Sequence, residues 1–148
     1  MRILLADDHP VLRRHVRNIL QSEKDWEVCG EATNGREAVA MAAAKRPDVV
    51  VLDISMPGLN GLEAARLIHQ QCPETEMVVL SLHEPDEVMS QLAGTGVRAC
   101  VLKSDLQDLV VAIRGIQQPQ TVGKAQVAEL GYSHAHRHME RQFSKSSS

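Results

Sequence analysis

The stretch Pro47-Asp48-Val49-Val50-Val51-Leu52-Asp53-Ile54-Ser55-Met56-Pro57-Gly58 decides the fold. A run of Val and Leu with proline near each end reads as a central strand, apolar on both faces. It stops at a carboxylate and then a Pro-Gly turn. Ligands of an open α/β sheet bind outside the carboxyl ends of its strands. Asp53 therefore stands where chemistry is expected. A bland role, capping a loop or the next helix, is the alternative for that residue on its own.

On either side of this strand the pattern repeats. Arg2 to Ala6 is a short apolar run ending at Asp7-Asp8-His9-Pro10, and Leu12, Val16, Ile19 and Leu20 then recur at helical spacing. Trp26 to Ala32 is a weaker strand, and Asn34-Gly35 a turn. Ala38, Val39, Ala42 and Ala43 form the small-residue face of a helix that Pro47 stops. Beyond the central strand, Leu62, Ala65 and Ile68 place a helix that ends before Pro73. Met77 to Ser81 is a strand, and Pro85 opens a helix with Val88, Met89 and Leu92 inward, broken by Gly94 and Gly96. Val97 to Leu102 is the last strand, and Leu106, Leu109, Val110 and Ile113 make a clear amphipathic stripe. Five strands alternating with five helices predict a parallel sheet covered on both faces, a flavodoxin-like (βα)5 doubly wound fold with strand order 2-1-3-4-5.

Composition sets outer limits. The chain has 148 residues, enough for one domain plus a tail, and its 2% aromatic content requires an aliphatic core. A formal net charge of −3 argues against general nucleic-acid binding. No apolar run reaches the ~18 residues of a membrane span, and no signal peptide precedes the first strand. Cys29, Cys72 and Cys100 lack metal-site spacing and read as reduced thiols of a cytoplasmic protein.

The residues that follow each strand form a pattern. Asp7 and Asp8 follow the first strand, Asp53 and Ser81 end the third and fourth, and Lys103 follows the fifth. In the expected sheet they converge on one edge. Clustered carboxylates repel, and a divalent cation with oxygen ligands relieves this; Mg²⁺ (or Mn²⁺) suits few carboxylates and several waters. Lys103 adds a point charge and Ser81 a hydroxyl. Cation on one side, ammonium and hydroxyl on the other, suits a phosphoryl group, with Asp53 as the nucleophile that forms an acyl phosphate.

On these motifs the chain closely resembles the receiver domain of bacterial two-component response regulators. They are Asp-Asp-His-Pro at 7–10, Asp-Ile-Ser-Met-Pro-Gly at 53–58 with Asn60-Gly61, Ser81, and Leu-Lys-Ser-Asp at 102–105. The wording looks most like the NarL/FixJ (LuxR-like) branch, over residues 2–116. The resemblance implies phosphoryl transfer from a phosphohistidine of a sensor histidine kinase to Asp53. It implies Asp8 and Asp53 as direct metal ligands, the Ser55 backbone carbonyl as a further one, and Asp7 acting through water. Lys103 would pair with the phosphoryl oxygen, and Ser81 would turn toward it on activation. Hydrogen bonds to a charged group contribute ~1.5–3 kcal/mol each. Moving a population from 1:99 to 99:1 takes about 5.5 kcal/mol, so the two contacts predict a partial shift, with dimerisation supplying the rest.

Two features depart from the family pattern. An aromatic residue usually stands three before the strand-five lysine and swings inward on activation; here the switch position holds Cys100, which reads as a buried apolar filler. His83, two after Ser81, is a candidate for modulating acyl-phosphate hydrolysis by placing or blocking water; its bland role is a solvent-facing loop histidine. The second departure is the C-terminus. LuxR-like regulators follow the receiver with a helix-turn-helix domain, whereas residues 117–148 read as a polar, weakly basic tail with His134, His136 and His138. No DNA binding is expected from it, and a transition-metal role for its histidines is the lesser reading.

The expected function is a receiver that is phosphorylated by a sensor histidine kinase, serves transcription regulation and signals through its surface or as a homodimer. It is not an enzyme on any substrate but itself. Two rivals remain. A degenerate receiver would act as a phosphorylation-independent docking module. An aspartyl-phosphate hydrolase of the haloacid-dehalogenase type needs a second acid two residues after the nucleophile, where this chain has Ser55.

Overall fold

A computed structural model describes residues 1–117; the tail expected over 117–148, with its histidines, lies outside them apart from Gln117, which is helical. The element order is β1 (Arg2–Ala6), α1 (Pro10–Gln21), β2 (Glu27–Ala32), α2 (Gly35–Lys45), β3 (Val49–Asp53), α3 (Gly61–Gln71), β4 (Glu76–Ser81), α4 (Pro85–Met89), β5 (Val97–Leu102) and α5 (Asp108–Gln117). The strands form one sheet in the order β2-β1-β3-β4-β5, and every pairing is parallel. This is the expected topology.

The alternation of side chains along each strand divides the core in two. Leu4, Ala6, Val50, Leu52, Met77, Val79 and Cys100 pack with α2, α3 and α4 on one face. Ile3, Leu5, Val49, Val51, Val78, Leu80, Ala99 and Val101 pack with Val16 and Leu20 of α1 and with Leu109, Ala112 and Ile113 of α5 on the other. All five residues of β3 are buried, as a strand covered on both faces requires. Each Val or Leu so buried contributes about 1.5–3 kcal/mol relative to exposure.

The helices begin where the sequence offers caps. The side chains of Asn34 and Asn60 accept from the Glu37 and Glu63 backbone N–H groups at 2.9 and 3.0 Å. His9 caps α1 by accepting from the Leu12 N–H, and Pro10 stands in the first turn. Two helices are shorter than their apolar patterns suggest. The segment after Val88 continues through i→i+3 bonds, Gln91 to Val88, Leu92 to Met89 and Thr95 to Leu92, so α4 ends at Met89 although Leu92 is buried. Leu106 is likewise buried but lies in tight turns before α5 begins at Asp108. In both places inward-facing spacing survives in tight turns, which periodicity does not separate from α-helix.

The consequence for function lies between β1 and β3. The chain leaves β1 for α1 on one face and leaves β3 for α3 on the other. The two loops diverge and open a crevice at the carboxyl ends of adjacent strands, the topological switch point of such sheets. Among the described residues no helix is long and apolar enough to cross a membrane.

Candidate phosphoacceptor and cation site

Asp7, Asp8 and Asp53 meet in this crevice, each with a carboxylate oxygen within 4.8 Å of the others'. Asp7 is fully buried, Asp53 is 1% exposed and Asp8 faces solvent. Lys103, delivered by the end of β5, places its Nζ 2.9 Å from Asp53 Oδ1. The Ser55 backbone N–H donates to the same oxygen at 3.1 Å. The His9 N–H donates to Asp7 Oδ1 at 2.8 Å, while Asp7 Oδ2 is buried and has no hydrogen-bond partner among the described residues.

Burial pushes the Asp53 carboxyl above its ordinary pKa; the Lys103 ammonium and the Ser55 N–H oppose this, and Asp8 adds to it. Burial also raises Asp7, opposed by the His9 N–H and reinforced by the charge of Asp53. A site that raises two carboxyl groups while leaving a buried oxygen without a donor is short of positive charge. One ammonium does not balance three carboxylates. A hard divalent cation fits the donor set.

These shifts set a sign. A carboxyl group that holds its proton more tightly in the folded state favours folding below its unfolded value. That contribution is lost as pH rises from 3.8 through the folded-state value. Without metal, Asp7→Asn is therefore expected to raise thermal stability at neutral pH by about 1–3 kcal/mol. The asparagine Oδ1 still accepts from His9, and its amide donates toward the neighbouring carboxylates. The gain should shrink toward pH 4, and any stabilisation of the parent by added Mg²⁺ should be weaker in the variant. Thermal melts across pH, with and without Mg²⁺, check both.

Ser81 is fully buried at the end of β4, paired in register with Leu102, the residue before Lys103. Its Oγ accepts from the His83 N–H at 2.9 Å, which ties the hydroxyl into the turn leading to α4. Ser55 is exposed, and the contact it makes with Asp53 is through its N–H, not its carbonyl. Cys100 is wholly buried on the α2–α3–α4 face, beside Val79 in the neighbouring strand, and burial pushes its thiol up to about 12. His83 is exposed and stands 3.8 Å from Glu87 one helical turn on. The structure thus brings Asp7, Asp8, Asp53 and Lys103 together, with Ser81 one strand away, and leaves Cys100 in the core and His83 in solvent.

Arg13 and Glu31, which adjoin the cluster, were not among the residues expected. The Arg13 guanidinium donates to the Asp7 carbonyl at 2.8 Å and pairs with Glu31 at 3.0 Å. Its one sequence signal is a basic residue close to the start of a helix, where a cation opposes the helix dipole. A cavity of about 550 Å³ lined by Arg46, Asp48, Thr75 and Glu76 opens at the opposite end of the sheet and shares no residue with the carboxylate cluster.

Comparison with known proteins agrees with the geometry. The response regulator receiver domain family matches residues 3–114. The transcriptional regulatory protein DegU of Brevibacillus brevis is 34% identical over 119 residues, covering 80% of this chain and 50% of that protein. The oxygen regulatory protein NreC of Staphylococcus epidermidis is 37% identical over 123 residues, covering 82% of this chain and 56% of that protein. The chain thus spans about half the length of these curated relatives. Among solved structures, a LuxR-family two-component response regulator from Aurantimonas sp. SI85-9A1 superposes with a TM-score of 0.74 at 30% identity, covering 86% of this chain and 95% of that one. The response regulator domain of Thermotoga maritima CheB superposes with a TM-score of 0.71, also at 30% identity, over 77% of this chain and 93% of that one. Crevice, carboxylate cluster, apposed lysine and matched sequence lead to one assignment: over residues 3–114 the chain belongs to the response regulator receiver domain family.

Proposed function

We propose that Asp53 accepts a phosphoryl group from a phosphohistidine of a sensor histidine kinase, and that this chain is a phosphorylation-controlled receiver serving transcription regulation. The observation that carries the reading is the 2.9 Å contact of Lys103 Nζ with Asp53 Oδ1 inside the three-carboxylate cluster. Lys103 and the Ser55 N–H both occupy Oδ1, which leaves Oδ2 as the attacking oxygen. Oδ2 forms the new bond to phosphorus as the phosphorus–nitrogen bond to the donor imidazole breaks, and that electron pair returns to the imidazole. The product is an acyl phosphate on Asp53.

Asp8, Asp53 and the Ser55 carbonyl, with Asp7 through water, would hold Mg²⁺ or Mn²⁺. When bound, the cation supplies charge stabilisation to the equatorial phosphoryl oxygens. Lys103 pairs with the same group from the other side. The Ser81 hydroxyl, which now accepts from the His83 N–H, is a strand-end donor that would turn to the phosphoryl oxygens and so link the site to α4. Cys100 serves as core filling and takes no part in that motion; His83, which is exposed beside Glu87, would act on hydrolysis only by placing or blocking water. The receiver unit is residues 1–116, with 117–148 a polar tail, and phosphorylation favours a homodimer.

The test is intact mass after incubation with a small phosphodonor, with and without Mg²⁺, and then with a sensor kinase. A Mg²⁺-dependent gain of one phosphoryl group supports the reading. Absence of any gain from both donors, in folded protein, would leave a phosphorylation-independent docking module as the account. Turnover of a free phosphate ester would instead favour a hydrolase.

A further inference from the structure

We propose that Arg13 is a positioning residue for the cation site: it fixes the Asp7–Asp8 peptide, and through that peptide the Asp8 carboxylate, with Glu31 as its anchor. The inference rests on the cation-binding reading given above. Its basis is a chain of contacts outside the carboxylate cluster. Arg13 Nη1 donates to the Asp7 carbonyl at 2.8 Å, while Arg13 Nε pairs with Glu31 Oε1 at 3.0 Å. The second carboxylate oxygen of Glu31 takes Arg17 Nη1 at 3.1 Å. On its other side, the Asp7 N–H donates to the Ala32 carbonyl of β2 at 3.0 Å. The backbone of Asp7 is therefore clamped at both its donor and its acceptor.

Asp8 needs such a clamp. Asp7 is buried and receives the His9 N–H, and Asp53 receives Lys103 and Ser55. Asp8 is exposed, and no hydrogen bond from a described residue holds its carboxylate. Its place is set by the peptide that precedes it. A planar guanidinium fork is suited to this, since it can bond a carbonyl and a carboxylate at once in fixed geometry, which an ammonium does less well.

The position of Arg13 in α1 supports the same conclusion. It lies one turn from the helix start, and α1 has no acidic residue in its first turn. A cation there works against the helix dipole. Helix stability does not account for the residue, whereas the Asp7 carbonyl and Glu31 do. Outer-shell groups that orient ligands typically change metal affinity 10–100-fold when removed.

Charge alone predicts the reverse effect. Deleting a cation beside three carboxylates would make the site more negative and tighten cation binding. Arg17 supplies the matching control, because it shares Glu31 and carries the same charge but does not touch Asp7.

The experiment is titration of the full chain with Mn²⁺, read by electron paramagnetic resonance, for the parent, Arg13→Ala, Arg13→Lys and Arg17→Ala. Metal-free melts establish that each variant is folded. The expected result is affinity weakened about tenfold in Arg13→Ala, weakened to a lesser degree in Arg13→Lys, and unchanged or tighter in Arg17→Ala. If Arg13→Ala does not fold, Arg13→Lys decides the matter, since it keeps charge and stem and loses the fork. Unchanged or tighter binding in the Arg13 variants would overturn the proposal, as would equal weakening in Arg17→Ala. Those outcomes leave the cation site itself intact. A parent chain that binds no Mn²⁺ would instead remove the site, and the positioning role with it.

Discussion

Asp53→Asn is expected to abolish phosphoryl gain completely, from a small phosphodonor and from a kinase alike. An amide does not form the acyl phosphate, because its nitrogen lone pair is delocalised and its oxygen carries no formal charge. The change is nearly isosteric. Asparagine Oδ1 still accepts from the Ser55 N–H and from Lys103, the two donors that now hold Asp53 Oδ1. The variant should therefore fold and give the parent's circular dichroism, so that loss of modification reports chemistry and not collapse. Intact mass with and without Mg²⁺ checks it, and hydroxylamine should reverse the parent's modification, as expected of an acyl phosphate. A phosphoryl group retained by the variant would move the acceptor elsewhere, with Asp8 the first residue to test.

Gly61→Ala is expected to cost the fold at least about 2 kcal/mol, or roughly 6–10 °C in melting temperature. A Cβ at this position would lie 2.3 Å from the Asp53 carbonyl oxygen and 2.6 Å from Ile54 Cα. Both are backbone atoms, so no rotamer change relieves the contact. Gly61 also donates its N–H to the Ile54 carbonyl at 3.0 Å, which keeps the start of α3 against the end of β3. Any relief must separate these two segments and displace Asp53 from Lys103. The substitution should therefore lower stability and slow phosphorylation together, read by thermal melts and by the rate of mass gain at a temperature where the variant is folded. Gly58→Ala makes a useful contrast. Its Cβ would meet nothing within 4 Å, but its φ of +74° strains an L side chain, so it should lose stability with less effect on the site.

The elements that were legible share a physical basis. Val49 to Leu52 reads as a central strand because an apolar run bounded by prolines has few other compact solutions, and the structure buries every residue of it. Asn34-Gly35 reads as a turn, and the structure adds that the side chains of Asn34 and Asn60 cap the helices that follow them. Boundaries were less legible where tight turns imitate helix. Leu92 and Leu106 carry inward spacing and are buried, yet neither lies in its expected helix. Strand ends moved by one residue, with β2 starting at Glu27 instead of Trp26 and β4 at Glu76 instead of Met77. Pairing with neighbouring strands sets such limits, and it involves residues far away in sequence.

By itself the sequence determined the alternation of strands and helices, the sheet order it permits, and the chemical kinds of residue at the strand ends. These follow from local apolar periodicity and from what side chains do in turns. Only the tertiary structure decided how those residues meet. It placed the Asp53 oxygen against Lys103, left the buried Asp7 oxygen without a donor among the described residues, turned Ser81 to the His83 N–H, and joined Arg13 to Asp7 and Glu31. Each of these contacts links elements, or backbone to side chain, through distances of a few ångströms. The contacts of Asp53 with Lys103 and of Arg13 with Glu31 are set when helices pack onto a twisted sheet, and no single segment of the chain encodes them; that of Ser81 with His83 is local to one turn.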